Sequence, residues 1–209
     1  MAQGRLITIE GIDGAGKSTL AQVLVRELTA RGAGGHPVEL LREPGGVDVS
    51  ERIRALVKDP ALTVSPRAEA LLYAAARAQL VGELLEPLLA QGALVLLDRF
   101  VDSSLAYQGA GRELGVEEVR RLNMFATAGL TPDRTLLLRI DPALGRARQD
   151  ARALQPDRLE RESERFFARI AAAYDELADE EPARIRPIDA GQALEDVLRD
   201  SLAAIEDLL

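Results

Sequence analysis

Residues 11–18, Gly11-Ile12-Asp13-Gly14-Ala15-Gly16-Lys17-Ser18, set two glycines five positions apart and follow the second with a lysine and a hydroxyl. That is the spacing of a phosphate-binding loop. Glycine lets the backbone curl until successive N–H groups point at one anion. A helix opening at the loop adds the positive end of its dipole. Lys17 would reach the β- and γ-phosphates of a nucleoside triphosphate, and Ser18 would ligand Mg²⁺. The lysine stands out because Lys17 and Lys58 are the only two in the chain. A second candidate is Asp98, which with Arg99 follows the apolar run Ala93-Leu94-Val95-Leu96-Leu97. An acid at the C-terminal end of a buried parallel strand faces the nucleotide crevice, where it can hold the metal through water.

These residues need a scaffold, and the pattern supplies one. Leu6-Ile7-Thr8-Ile9 reads as a strand directly before the loop, and 17–31 reads as a helix directly after it, with Leu20, Val23, Leu24 and Leu28 at helical spacing. Further strands are expected at 38–41, 93–97, 135–138 and 185–188. Helices are expected at 50–58, 67–91, 116–127, up to 179, and 193–209. Continuous apolar strands alternating with helices predict an α/β protein with a parallel sheet covered on both faces. Residues 144–165 are highly charged, with alternating signs, and read as a solvated helix pair or a mobile lid.

Composition removes other chemistries. The 209 residues suffice for one domain, which would bury roughly 70% of the surface its unfolded chain exposes. With no cysteine, a disulfide scaffold, a thiolate metal site and a cysteine nucleophile are excluded. The single histidine, His36, lies among glycines and reads as a solvated loop residue. A net charge of -8 disfavours nucleic acid and anionic membranes as partners. No apolar segment has the length of a membrane span and no secretory leader is visible, so a cytoplasmic protein is expected.

Several blocks together resemble bacterial thymidylate kinase. They are the loop from Glu10 through Thr19, Arg42-Glu43-Pro44-Gly45-Gly46, the stretch 71–79, Asp98-Arg99-Phe100, and Ser103 through Gly109. Asp157-Arg158-Leu159-Glu160 and Ile188-Asp189-Ala190 continue the match, which covers essentially the whole chain in order. The resemblance implies a P-loop NTPase three-layer fold with about five parallel strands and a lid near 144–160. It implies ATP-dependent phosphorylation of dTMP to dTDP in dTTP biosynthesis, with Mg²⁺, in a homodimer.

The resemblance also implies individual roles. Residues 11–19 would bind ATP, together with the backbone of Asp189, Ala190 and Gly191 beside adenine. Asp13 would contact the acceptor 3′-hydroxyl, and Arg54 and Arg99 its phosphate. Tyr73 would stack on thymine, with Arg77, Ser104 and Gln108 at the base edge. Tyr107 would crowd the ribose 2′ position, and Pro44 would lie beside the nucleoside. The sequence departs from the family pattern at Tyr73, Phe100, Ala76 and Arg139. Within the loop only Lys17 is basic, so a catalytic arginine is expected from the lid, with Arg152 first, Arg158 second, and Arg99 as the fallback. Two other readings fit the loop alone: a related small P-loop kinase with another acceptor, and a P-loop switch with no acceptor pocket.

Overall fold

The computed structural model describes residues 4–151 and 157–209. Five parallel strands form one sheet in the order β2-β3-β1-β4-β5. They are β1 (Arg5–Glu10), β2 (Val38–Arg42), β3 (Leu94–Asp98), β4 (Arg134–Arg139) and β5 (Ile185–Asp189). Each of the five expected strands is present; four are extended by a residue or two, and the one expected at 93–97 is displaced by one residue to 94–98. β1 lies at the centre, so the loop that follows it opens where neighbouring connections run to opposite sides of the sheet, the usual ligand crevice of such folds.

Helix α1 (Lys17–Ala30) starts at the loop, and α9 (Leu194–Ala203) packs beside it. Alternation along the strands sorts their side chains between two layers of helices. Leu94 and Leu96 join Ile7, Ile9, Leu20 and Leu24 in one apolar cluster, whereas Val95 and Leu97 join Leu6, Leu80 and Phe100 in another. Thr8 and Glu10 share the parity of Leu6 and are fully buried polar residues. Thr8 meets Thr135 of β4 hydroxyl to hydroxyl at 2.7 Å.

The expected helix at 50–58 is α2 (Asp48–Lys58). The long helix expected at 67–91 is continuous helical backbone, but its middle widens: α3 (Pro66–Leu80) passes into a π turn (Val81–Leu85) and then α4 (Glu86–Ala90). Pro87 cannot donate to the carbonyl of Glu83, and the wide turn lies immediately ahead of it. A helix not read from the pattern follows β3. It comprises α5 (Val101–Ser104) and a π turn (Leu105–Gly111). Its two serines and the glycines Gly109 and Gly111 weaken the helical signal, and packing against α8 (Glu164–Glu180) and α6 (Val116–Ala126) supplies what propensity does not. The charged stretch begins as α7 (Pro142–Asp150), capped by Asp141, whose side chain accepts from the amides of Ala143 and Leu144. The last helix stops at Ala203 rather than running to 209, and the chain turns so that Ile205 is buried. His36 is half-buried rather than solvated, its ring 2.6 Å from the Gly92 carbonyl. Among the described residues no helix is long and apolar enough to cross a membrane.

Candidate active site

The loop at 11–18 curls through two left-handed glycines, Gly14 (φ 83) and Gly16 (φ 93). Gly14 is pressed against α7: a Cβ there would stand 2.1 Å from the Gly145 carbonyl oxygen. Only glycine fits that backbone at that distance. The Lys17 ammonium is buried and donates to the carbonyls of Gly11 (3.0 Å) and Ile12 (2.8 Å). Burial and the nearby Arg99 push its pKa down to about 8, against the opposing pull of Asp13 and Asp98. The Ser18 hydroxyl donates to Asp98 Oδ2 at 2.6 Å, and among the described residues buried Asp98 Oδ1 has no partner. A hydroxyl and a carboxylate with a spare oxygen form a hard-oxygen donor set. That set fits Mg²⁺, which takes one or two carboxylates and completes its shell from phosphate and water.

Arg99 follows β3 directly, with its backbone in the left-handed region at φ 71. Its guanidinium ion-pairs with Asp13. It also donates to Ser103 Oγ (3.0 Å), the Gly11 carbonyl (3.3 Å) and the Tyr107 hydroxyl (3.3 Å), and lies over the Tyr107 ring at 5.0 Å. Tyr107 in turn donates to Asp13 Oδ2 at 2.8 Å. Burial alone would raise the Asp13 pKa, but Arg99 and Lys17 together hold it well below the usual carboxylate range. Behind this cluster the Glu10 carboxylate accepts from the amides of Phe100 (2.7 Å) and Ser103 (3.2 Å) and from the hydroxyls of Ser103 and Tyr174. Burial, reinforced by Asp102, pushes its pKa up to about 7.

A cleft of about 250 Å³ opens on one side of the loop and brings together Asp13, Lys17, Ser18, Pro44, Arg54, Tyr73, Arg77, Asp98, Arg99, Ser104, Tyr107 and Gln108. All of these were singled out from the sequence. The Glu43–Pro44 bond is cis, and Arg54 of α2 donates to the Pro44 carbonyl at 2.8 Å. Arg77 is the most committed of them. It is buried, donates to Glu43 (2.7 Å), Ser104 (2.8 Å), Asn123 and the Phe100 carbonyl (2.8 Å), and stands over the Phe100 ring. Gln108 donates to Glu69 at 2.9 Å.

The cleft also contains groups that sequence reasoning missed: Glu43, Lys58, Asp157 and Glu160. Lys58 had a usable signal. It is one helical turn beyond Arg54 on α2, is one of only two lysines, and reaches Asp157 at 2.6 Å. Glu43 enters only as part of the block 42–46, and no spacing rule points to its partner Arg77, 34 positions away.

On the other side of the loop a second cavity of about 250 Å³ is lined by Gly14, Ala15, Gly16, Thr19, Arg148, Ala190 and Gln192. The Asp189 carboxylate accepts from the Gly191 amide at 2.8 Å, shaping that turn, and Arg148 donates to the Ala190 carbonyl at 3.0 Å. Of the two lid arginines expected to act on the phosphates, Arg152 lies outside the described residues. Arg158 is turned away from the loop: it bonds the buried Glu69 at 2.7 Å and the Val57 carbonyl at 2.9 Å. Glu69 is fully buried, and a buried carboxylate needs a charged partner, so it draws the guanidinium inward.

Comparison with known proteins agrees with this geometry. Residues 9–200 match the family described as thymidylate kinase. A thymidylate kinase of Deinococcus radiodurans is 46% identical over 207 residues, covering 99% of this chain and 98% of its own. One from Bacillus licheniformis is 44% identical over 208 residues, covering 99% and 97%. A crystal structure of thymidylate kinase from Ehrlichia chaffeensis superposes with a TM-score of 0.76 at 28% identity, covering 99% of this chain and 98% of that one.

The position of Glu10 predicts a pH effect on stability. The native state keeps the Glu10 proton up to about 7, whereas the ordinary value is 4.5. Its contribution to stability is therefore full at low pH and is lost as pH rises through about 7. Urea midpoints measured from pH ~5 to ~8 should fall more steeply for the parent protein than for Glu10→Gln, which cannot ionise. Parallel curves would show that Glu10 ionises normally.

Proposed function

The chain belongs to the thymidylate kinase family and catalyses ATP-dependent phosphorylation of dTMP to dTDP, and on that premise we propose how its own residues divide the work. One observation carries the assignment: two cavities border the same loop, sharing Gly14 and Gly16 with otherwise different linings. One is lined by the loop, Ala190 and Gln192, as an adenine nucleotide would need. The other holds four arginines, two tyrosines and directional polar groups, as a nucleoside monophosphate would need.

An oxygen of the acceptor phosphate attacks the γ-phosphorus of ATP. The new P–O bond forms as the bond to the β-phosphate oxygen breaks, and ADP leaves. Such transfer is mostly positioning and charge neutralisation. Loop residues 11–19 wrap the donor phosphates, with Lys17 exchanging the carbonyls of Gly11 and Ile12 for the β- and γ-phosphate oxygens. Ser18 and Asp98 would hold Mg²⁺, which would supply charge neutralisation on the same phosphates. Arg54 and Arg99 hold the acceptor phosphate, and Asp13 accepts from the 3′-hydroxyl. Tyr73 stacks on thymine, and Pro44 closes the cleft beside the nucleoside. Arg77, braced by Glu43, Asn123 and Phe100, offers a fixed edge to the base with Ser104 and Gln108. Asp189, Ala190 and Gly191 border the adenine.

The whole chain works as one domain, with 144–160 as a lid over ATP that delivers an arginine. The contact of Gly145 with Gly14 supports a lid seated on the loop. Arg152 is the first choice for that arginine. Arg158 would first have to leave Glu69. The enzyme is read as a cytoplasmic homodimer. Phe125, Met124 and Leu71 are 89%, 60% and 58% exposed on the adjoining helices α6 and α3, a large apolar surface for a free monomer to keep in water.

Two measurements test this reading. An acceptor panel of dTMP, dUMP, ribosyl TMP and AMP should favour dTMP, and Tyr107→Ala should narrow the ratio of kcat/KM between deoxy and ribo acceptors. Turnover without any acceptor, or an unchanged ratio, would count against the acceptor site. In sedimentation velocity the parent protein should run as a dimer and Phe125→Glu as a monomer. A parent monomer would remove the interface.

A further inference from the structure

Glu10 has no part in the chemistry described above, yet its burial is complete. It ends β1 one residue before the loop and does not line the cleft. A buried carboxylate is costly unless its oxygens are well partnered. Among the described residues no lysine or arginine bonds to it. Its four bonds come from two amides and two hydroxyls instead, and three of them converge on the turn at 98–103: the Phe100 amide, the Ser103 amide and the Ser103 hydroxyl.

That turn carries Arg99 at φ 71, a left-handed conformation that is strained for a residue with a Cβ. Such a residue persists only where its surroundings over-determine it. Two bonds bracket it here. The Arg99 amide donates to the Ile9 carbonyl at 3.1 Å, and the next amide, Phe100, donates to Glu10 at 2.7 Å. Ser103 closes the circuit, because its hydroxyl contacts both Glu10 Oε2 and Arg99 Nη1. Tyr174 of α8 meets the same carboxylate oxygen at 3.0 Å and fixes it from behind.

We infer that Glu10 is a positioning residue for phosphoryl transfer. By clamping the amides of Phe100 and Ser103 it holds the strained Arg99 backbone, and through the Ser103 hydroxyl it steadies the guanidinium beside Asp13. The inference rests on the reading of Arg99 as a group that touches the acceptor phosphate. Misplacing such a group by about 1 Å costs about 100-fold in rate.

The test is a double-mutant cycle in kcat and in KM for ATP, using Glu10→Ala, Glu10→Gln, Arg99→Ala and the pair Glu10→Ala with Arg99→Ala. Glu10→Ala should lower kcat by about 100-fold and leave KM for ATP within about twofold. Glu10→Gln should recover most of the rate, since one amide oxygen still accepts from Phe100 and Ser103. With Arg99 already replaced by alanine, Glu10→Ala should cost less than about threefold more, because residues acting as a unit are not additive. If Glu10→Ala does not fold, Ser103→Ala takes its place in the cycle with an expected loss of about tenfold. A folded variant with normal kcat overturns the inference, and so does a loss that multiplies in full on the Arg99→Ala background. A normal kcat for Arg99→Ala alone would instead remove Arg99 from the reaction, and the positioning role with it.

Discussion

Arg99 and Asp13 face each other at the mouth of the loop, and the ion pair between them decides where the other charged groups of the cleft can sit. The enzyme has to bring two polyanions head to head with a chain whose own net charge is -8. The cations must therefore wait in place before either substrate arrives. Two buried cations in one cleft repel, and Arg99 does depress the Lys17 pKa. Asp13 lies between them, ion-paired to Arg99 and 4.0 Å from Lys17. Opposite unit charges about 4 Å apart attract by roughly 4 kcal/mol at an effective dielectric near 20. That is comparable to the several kcal/mol it costs to desolvate each ion. The pair therefore adds little net stability, and its effect is to fix the position of the charges.

The same logic extends outward through other buried acids. Glu69, fully buried, receives Arg112, Arg158 and Gln108. Glu43 and Asn123 hold Arg77 from two sides. Burial pushes the Glu43 pKa up despite Arg77, so the acid is present for its geometry at an electrostatic cost. Each acid freezes a long, flexible side chain before substrate binds. Binding then costs less side-chain entropy, which otherwise runs to about 0.5–1.5 kcal/mol for each immobilised chain.

Much of this was legible in the sequence because it is local. All five strands follow from short apolar runs, and the phosphate loop follows from eight consecutive residues. The acceptor side chains were reachable only through the family resemblance, since Arg54, Tyr73 and Tyr107 sit on three different helices. What escaped was set by packing between distant segments. Glu10 and Tyr174 are 164 positions apart, and no spacing rule links them. The helix carrying Ser103 to Gly109 was hidden by its own glycines and serines. The orientation of Arg158 was hidden because its partner Glu69 lies on α3, far from it in the chain.

The central claim is that the acceptor side of the site is assembled in advance and that Lys17 exchanges its partners when the donor binds. A crystal structure with a dinucleotide that joins adenosine and thymidine through an oligophosphate bridge tests both halves at once. The account predicts thymine on Tyr73, Arg99 still paired with Asp13, and the Lys17 ammonium moved from the carbonyls of Gly11 and Ile12 onto the bridge. A structure in which Lys17 keeps those carbonyls, or in which Arg99 has swung away from Asp13 to reach the phosphates, would contradict it.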